Sequence, residues 1–280
     1  MPPTEAFATA PPKIRLRAVS KQFDVRTRAP RAARRAAPFL ALHDVNLDVE
    51  AGQFLTLVGP SGCGKSTLLD LLGGLTAPSA GDIWIDGRPV AGPGLDRSIV
   101  FQQYALFPWR TALGNIEFGL EAKGVPKSER PDRARQYLAL VGLQKFAEHY
   151  PHELSGGMKQ RVAIARSLSY DPDILLMDEP FGALDEQTRE SLQEELLNIW
   201  RGTGKTIVFI THSIDEAVYL GQRVAVMQAG PGRITDIVAG PATARPPGQD
   251  VRAEPEFVAL RHEVWKLLRR NTGSTQTPLH

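Results

Sequence analysis

The sequence is poor in cysteine and has no long apolar segment. Cys63 is the only cysteine among 280 residues, which excludes an intramolecular disulfide and fits a reducing compartment. No run of eighteen apolar residues occurs, so we expect no membrane-spanning helix. The first residues, MPPTEAFATAPPK, have neither the basic nor the apolar region of a secretory signal, and we expect none. A role at a membrane would therefore require a membrane-embedded partner.

Internal repeats and heptads are also absent from the sequence, and the composition is that of an ordinary globular protein. Hydrophobic residues make up 42% and charged residues 23%, which suits one large α/β domain or two small ones. The charge is distributed unevenly. Residues 1–42 hold nine Lys or Arg and two acidic residues, which leaves 24 basic and 29 acidic residues for the rest of the chain.

An arginine-rich segment, residues 26–38, accounts for much of that imbalance. One interpretation is a solvated loop between two strands, and the other is a surface for anionic lipid headgroups or an acidic partner. The cluster itself consists of Arg26, Arg28, Arg31, Arg34 and Arg35.

Short apolar runs separated by helical patterns predict an α/β fold with a mostly parallel, buried sheet. Residues 20–54 instead favour antiparallel strands, and Asp86-Gly87 favours a hairpin turn. We expect one main domain over residues 1–240, with a helical subdomain inserted at about 106–165, and a linker and helix over 241–280. The buried runs are LTLVG (55–59), SIVF (98–101), DILLMD (173–178) and TIVFIT (206–211).

The C-terminal helix predicted after residue 250 has one apolar stripe, formed by Phe257, Leu260, Val264 and Leu267. We expect this stripe to pack on the core of the protein itself. The alternative is a face for a partner.

A phosphate-binding pattern lies between the first buried strand and a helix. GPSGCGKST (59–67) fits G-x-x-x-x-G-K-[ST], whose glycines let backbone N–H groups surround phosphates at a helix N-terminus. Lys65 would then contact the phosphates, and the Ser66 hydroxyl would bind Mg²⁺. A glycine-rich turn without nucleotide is the alternative. The predicted nucleotide contacts here are Gly59, Pro60, Ser61, Gly62, Cys63, Gly64, Lys65, Ser66 and Thr67.

Two further positions follow buried strands at the same predicted edge of the sheet. In ILLMDEP, Asp178 is predicted to hold Mg²⁺ through its water shell and Glu179 to polarise the attacking water. The competing interpretation is two acids that cap a helix beginning near Pro180. His212 comes directly after TIVFIT, where ligands of open α/β folds bind, and is predicted to sense the γ-phosphate. It is otherwise an ordinary surface or core histidine.

A second glycine-rich segment, LSGGMKQR (154–161), begins another predicted helix. Unlike the first segment, it has no lysine at the position that would bind the phosphates of a nucleotide. Together these stretches resemble the ATP-binding subunits of ABC transporters, and LSGGMKQR resembles their signature sequence. The resemblance covers nearly the whole chain and implies an ATPase that uses ATP and Mg²⁺. It further implies a homodimer in which Ser155, Gly156 and Gly157 contact the γ-phosphate held by the partner subunit, so that each chain carries half of two sites.

The same resemblance assigns further residues. Gln102 in SIVFQQ corresponds to a glutamine that reaches Mg²⁺ and water, and Asp185 in FGALD to an aspartate that couples the two sites. Phe23 corresponds to the aromatic residue that stacks on adenine, although a core phenylalanine remains an alternative. The chain departs from the commonest pattern at Met158, at Lys159 and in the length of the arginine-rich segment.

Within the family, FQQYALFPWR, QAGPGRI and AEPEFVALRHEVWKLL resemble importers of nitrate, sulfonates and taurine, the taurine branch above all. The implied partners are a membrane permease and, through it, a periplasmic or extracellular solute-binding protein, with the chain at the cytoplasmic face of the inner membrane. The alternatives are a nitrate, bicarbonate or other small-solute importer, or more remotely an ABC ATPase acting on nucleic acid. We expect no nucleic-acid partner. Phe107 and Trp109 are candidate permease contacts or core residues of the helical segment.

Overall fold

The computed structural model describes residues 11–24, 38–241 and 251–272, with side chains described as far as residue 270. The arginine cluster between residues 26 and 35 and most of the linker GPATARPPGQ lie outside these ranges. Predictions about those two segments therefore stay predictions.

Ten strands and seven α-helices occur in the described residues. The strands are β1 Ile14–Phe23, β2 Phe39–Val49, β3 Phe54–Val58, β4 Ala80–Ile85, β5 Arg88–Pro89, β6 Arg97–Val100, β7 Ile174–Asp178, β8 Thr206–Thr211, β9 Arg223–Gln228 and β10 Arg233–Ala239. The helices are α1 Lys65–Leu72, α2 Ala112–Ala122, α3 Arg130–Leu140, α4 Gly156–Ser169, α5 Glu186–Thr203, α6 Ile214–Leu220 and α7 Pro255–Thr272.

The larger sheet has six strands in the order β10-β9-β3-β8-β7-β6. Neighbours from β9 to β6 run parallel, and only β10 at the edge is antiparallel. Strands β3 and β8 are buried along their whole length, which is why their sequences are mostly apolar and do not alternate with charged residues. The predicted α/β fold with a mostly parallel sheet is confirmed.

The smaller sheet is antiparallel and follows the order β2-β1-β4-β5. The turn between β4 and β5 consists of Asp86 and Gly87, whose φ angles are both positive at 50° and 71°. That combination suits a two-residue hairpin turn, and the predicted hairpin is present. The inner face of this sheet packs with α1 and the larger sheet in one apolar cluster.

Helices α2, α3 and α4 pack on one another between β6 and β7 in the chain. Their apolar residues, among them Leu138, Val162 and Leu168, join one cluster with Phe181 and Phe209 beside the larger sheet. The N-terminus of α4 is thereby fixed to the body of the protein, so the residues that begin this helix have a defined position.

Helix α7 packs on α6 and β9 through Phe257, Val264 and Leu267, which are buried together with Val58 and Val226. The expectation that the C-terminal stripe covers the protein's own core is confirmed. Within the described ranges, no helix is both long and apolar enough to cross a membrane.

A candidate site for nucleotide hydrolysis

The phosphate loop, residues 59–67, connects the carboxyl end of β3 to helix α1. Gly64 precedes the helix with φ 93°, and a Cβ there would lie 2.6 Å from Cδ2 of Leu42. A Cβ on Gly59 would lie 2.7 Å from Sγ of Cys63 and 2.8 Å from the carbonyl oxygen of Met227. Only glycine fits at both positions, so the loop keeps the tight curvature that turns backbone N–H groups toward a phosphate.

Lys65 crosses this loop from the first position of α1. Its side chain is only 6% exposed, and Nζ donates to the carbonyl oxygens of Gly59 at 2.8 Å and Pro60 at 3.1 Å. The nearest carboxylate oxygen, Oε1 of Glu179, is 3.9 Å away. An ammonium group held by carbonyls inside a loop of this type is positioned to bind phosphate oxygens.

Asp178, at the end of β7, lies against the beginning of α1. Burial raises the pKa of its carboxyl above the ordinary value of 3.8, and the hydrogen bond from the Ser66 hydroxyl opposes that rise. The charges of Glu179 and Asp70 raise the pKa further. Burial also raises the pKa of Asp70. A divalent cation stabilises the ionised form of carboxyl groups that lie close together. The oxygen atoms of Ser66 and Asp178 therefore suit Mg²⁺.

Within the described part of the chain, no group of three or more His, Cys, Asp or Glu side chains forms a metal cage. Ser66 and Asp178 would therefore hold Mg²⁺ only together with oxygen ligands from the nucleotide and water. Gln102 follows β6 in an exposed loop. Its amide nitrogen lies 3.8 Å from the position that a Cβ on Gly182 would take, so it approaches the segment after Glu179.

Glu179 and His212 meet at the carboxyl edge of the larger sheet. Nδ1 of His212 is 2.9 Å from Oε2 of Glu179, and the imidazole is 59% exposed. The backbone of Glu179 has φ 43°, an uncommon value for a residue with a side chain, and its N–H donates to the carbonyl oxygen of Ile210 at 2.9 Å. This pairing gives the carboxylate a neighbour that fixes its orientation.

The signature turn, Ser155, Gly156 and Gly157, begins helix α4. The Ser155 hydroxyl accepts from the N–H of Met158 at 3.3 Å and caps the helix. A Cβ on Gly156 would lie 3.1 Å from the hydroxyl of Tyr104, and one on Gly157 would lie 2.5 Å from Cγ2 of Thr188. The close contacts of the signature turn are thus with Tyr104 and Thr188, neither of which belongs to the phosphate loop.

Two of the residues assigned by resemblance occupy exposed positions. Phe23 ends β1 opposite Phe39, with its residue 42% exposed and Nζ of Lys21 5.2 Å from the ring centroid, so it is not a core residue. Asp185 is the N-cap of α5 and accepts from the N–H of Thr188 at 2.9 Å. That hydrogen bond lowers the pKa of the Asp185 carboxyl.

The aromatic pair after Gln102 divides into one packed and one exposed ring. Phe107 packs edge-on against Phe118 at 4.7 Å, and the guanidinium of Arg166 lies 5.6 Å from the Phe107 ring. Trp109 is 70% exposed. Phe107 thus belongs to the packed helical segment, while Trp109 is available for contact.

Sequence reasoning missed two buried charged residues near the site. Arg166 donates to the carbonyl oxygens of Ala105 and Tyr104, at 2.7 Å and 3.2 Å, which holds the segment after Gln102 on the signature helix. Glu216 is buried one turn after His212. In the sequence, each of these residues is a charged position on an otherwise apolar helix face. That pattern indicates a buried charge but does not identify the groups that it bonds to.

The fold and this edge of the sheet define a phosphate-loop nucleotide hydrolase. A protein-family profile described as ABC transporter matches residues 42–182. The chain belongs to the ABC transporter family, and it is one of the family's ATPases.

Relatives extend the likeness over most of the chain. An uncharacterised ABC transporter ATP-binding protein of Methanocaldococcus jannaschii is 59% identical over 198 residues, 71% of this chain and 74% of that protein. The nitrate import ATP-binding protein NrtD of Synechocystis is 49% identical over 85% of this chain and 91% of its own length. The taurine import ATP-binding protein TauB of Yersinia pestis is 48% identical over 80% and 89%.

Among solved structures, the chain is similar to a dimeric post-hydrolysis state of the ATP-binding cassette MJ0796 bound to ADP and Pi. The TM-score is 0.70 at 35% identity, and the match covers 81% of this chain and 98% of that one.

Proposed function

We propose that this chain is the ATP-hydrolysing subunit of an ABC importer that energises uptake of taurine or a related sulfonate through a membrane permease. The observation that carries the proposal is the likeness, at 48–49% identity over at least 80% of the chain, to ATP-binding proteins named for taurine and nitrate import. The segments QAGPGRI and AEPEFVALRHEVWKLL favour the taurine branch. Nitrate is the second candidate because the two identities differ by only one percentage point.

The proposed nucleotide site uses the residues of the phosphate loop and of the two strand ends. Loop N–H groups and Lys65 bind the phosphates, and Phe23 stacks on adenine. Ser66 and Asp178, with Gln102 nearby, would hold Mg²⁺, which would neutralise part of the phosphate charge. Residues 1–240 form the ATP-binding domain in this proposal, and residues 241–280 form its C-terminal extension.

Hydrolysis needs a base and a group that recognises the γ-phosphate. The Glu179 carboxylate orients and polarises the attacking water as a general base. His212, 2.9 Å from that carboxylate, donates to the γ-phosphate through its other ring nitrogen and holds Glu179 in place. These roles suit the strand-end geometry, because both residues approach one point from neighbouring strands.

A second copy of the chain completes each site. The signature turn presents a capped helix N-terminus, which favours an anion through its N–H groups and dipole, yet its described contacts do not reach the phosphate loop of its own chain. We infer a homodimer in which each signature turn meets the γ-phosphate held by the partner subunit, with Asp185 between the two sites. The solved dimeric cassette bound to ADP and Pi supports this arrangement by likeness.

Transmission to the permease passes through the helical segment at about 106–165. The exposed Trp109 ring is the proposed permease contact, and Phe107 supports it from within the packed segment. The chain then acts as a peripheral subunit at the cytoplasmic face of the inner membrane, and a solute-binding protein on the opposite side delivers the substrate.

Uptake of labelled taurine by cells that carry the native chain or Glu179→Gln tests this function. We expect uptake to be lost with Glu179→Gln and retained with Glu194→Gln, an exposed glutamate of α5. An alkanesulfonate should compete and nitrate should not. Competition by nitrate alone would move the chain to the nitrate branch, while native uptake with Glu179→Gln would contradict the importer role.

Trp109→Ala tests whether this side chain transmits ATP hydrolysis to the permease or only supports folding. Because the ring is exposed, we expect unchanged thermal stability and unchanged ATPase of the purified chain, with reduced uptake. A large fall in melting temperature would instead assign Trp109 to the core.

A further inference from the structure

Glu216 is a buried acid that the proposed hydrolysis does not use. It lies in the first turn of α6 and is 7% exposed. The Thr211 hydroxyl donates to its Oε2, and the side-chain amide of Gln193 donates to its Oε1 at 3.2 Å. A buried carboxylate is costly unless it is bonded in this way, so these hydrogen bonds are needed to keep Glu216 buried.

One set of these contacts fixes the residues on both sides of His212. Thr211, which bonds to the Glu216 carboxylate, ends β8 and also accepts from the N–H of Ser213 at 3.0 Å. The Ser213 hydroxyl accepts in turn from the N–H of Glu216 at 3.3 Å. The side-chain carboxylate and the backbone N–H of Glu216 therefore both bond to the residues that flank His212.

A second set of contacts leads to the segment before α5. Nε of Arg189 is 3.7 Å from Oε1 of Glu216 and makes no hydrogen bond. Nη2 of the same arginine donates to the carbonyl oxygen of Leu184 at 2.8 Å. Leu184 directly precedes Asp185, the N-cap of α5. The Glu216 carboxylate thus contacts the turn that carries His212 on one side. On the other side it contacts Arg189, which bonds to the segment just before Asp185.

We propose that Glu216 is a positioning residue that holds the turn carrying His212 and the loop carrying Asp185 in one arrangement. The inference rests on the proposed roles of those two residues in hydrolysis. A displacement of the histidine-bearing turn breaks a hydrogen bond to this carboxylate, and a displacement of the segment before α5 lengthens the Arg189 ion pair to it, so the two segments are expected to move together. Packing alone does not require this link, because an amide or an apolar side chain of similar volume would fill the same space.

The test compares Glu216→Gln with Asp215→Asn in the purified full-length chain. Asp215 is the neighbouring acid in the first turn of α6 and pairs with Arg261 in an exposed ion pair. The two substitutions remove one negative charge each from the same helix N-terminus, so their difference isolates the buried contacts. Arg189→Gln is a second variant with less risk to folding, because this side chain is partly exposed.

We expect Glu216→Gln to lower kcat about tenfold by misplacing His212, with the Kd for ATP within about twofold of native. The imidazole ¹⁵N shifts of His212 should change in Glu216→Gln and remain native in Asp215→Asn. Arg189→Gln should lower kcat about threefold, and the double variant should lose less than the product of the two effects.

Native kcat and native His212 shifts in a folded Glu216→Gln protein would overturn the proposal. A parallel loss of kcat, ATP binding and thermal stability, with native behaviour of Arg189→Gln, would also overturn it by assigning Glu216 to folding alone. His212→Ala distinguishes the two levels of inference. If that variant hydrolyses ATP normally, the assumed role of His212 falls and this proposal with it, whereas an inactive His212→Ala beside a native-like Glu216→Gln refutes only the positioning role.

Discussion

The phosphate loop and the signature turn are both glycine-rich helix starts, but the chain supports them in different ways. The phosphate loop adds Lys65 and lies beside the acids at the end of β7. The signature turn has a serine cap and close packing against Tyr104 and Thr188. The first region has charged groups suited to binding a nucleotide, whereas the second has a capped helix N-terminus and no charged side chain within Ser155, Gly156 and Gly157. The difference is what the proposed homodimer requires, since in that dimer the second region meets a nucleotide held by the partner subunit.

The largest effect is expected from Glu179→Gln, which removes the proposed base and leaves both glycine-rich regions intact. We expect kcat to fall by a factor of about 10² to 10⁴, because general base catalysis contributes that much. ATP should then hold two chains together, and light scattering should detect the dimer. A strictly monomeric variant at high protein and ATP concentrations would argue against the trans arrangement.

A pair of variants separates the two regions. Lys65→Ala removes a charged contact worth about 2–3 kcal/mol, so ATP should bind roughly 30- to 150-fold more weakly. Ser155→Asp keeps a capping acceptor for α4 but places a negative charge where a phosphate is expected.

Each variant should be inactive alone, and an equal mixture should recover about a quarter of native ATPase, because half of the dimers contain one intact site. Lys123→Ala, which breaks an exposed pair with Asp171, serves as the control for lysine removal. No recovery in the mixture would contradict shared sites.

Asp178→Asn should stabilise the nucleotide-free chain while it abolishes the stabilisation by Mg-ATP. A carboxyl with a folded-state pKa above 3.8 destabilises the fold at neutral pH, and that cost disappears as the pH falls below the unfolded value. We therefore expect the melting temperature of Asp178→Asn to be a few degrees above native at pH 7. The difference should shrink to nothing in acid, and a variant less stable than native at pH 7 would contradict it.

The smallest effect expected for the unmodified chain is slow labelling of Cys63. The thiol is buried behind the phosphate loop, and burial raises its pKa, so the reactive thiolate is scarce. Maleimide should label the native chain at least about tenfold more slowly than the urea-unfolded chain. Once labelled, the chain should not bind ATP. Sγ of Cys63 is packed so closely against Gly59 that a bulky adduct would displace the phosphate loop. Rapid labelling of the folded chain would show that the loop opens readily.

The sequence predicted those parts of the site that are contiguous along the chain. The phosphate loop, the acids after β7 and the histidine after β8 each follow a short apolar run, and parallel strands bring their carboxyl ends to one edge. The links between distant residues were not predictable. The Glu216 carboxylate and the Leu184 carbonyl, connected by Arg189, are 32 positions apart, and no local pattern encodes that contact.

The sequence also did not predict which aromatic side chains are exposed to solvent. Phe107 and Trp109 are both aromatic residues in one short loop, yet one packs against Phe118 and the other is largely exposed. The choice depends on how α2 and α4 are placed, which is a property of the tertiary packing. Phe23 likewise required the structure, because a strand end is compatible with either burial or exposure.

The left-handed backbone at Glu179 has a consequence for how such chains diverge. A residue with a side chain costs roughly 1–2 kcal/mol in that conformation, and glycine does not. A lineage released from the need to split ATP would therefore gain stability by drifting to glycine at this position, and would lose its base in the same step. The glutamate of this chain therefore forgoes that stability for the carboxylate that the proposed hydrolysis needs.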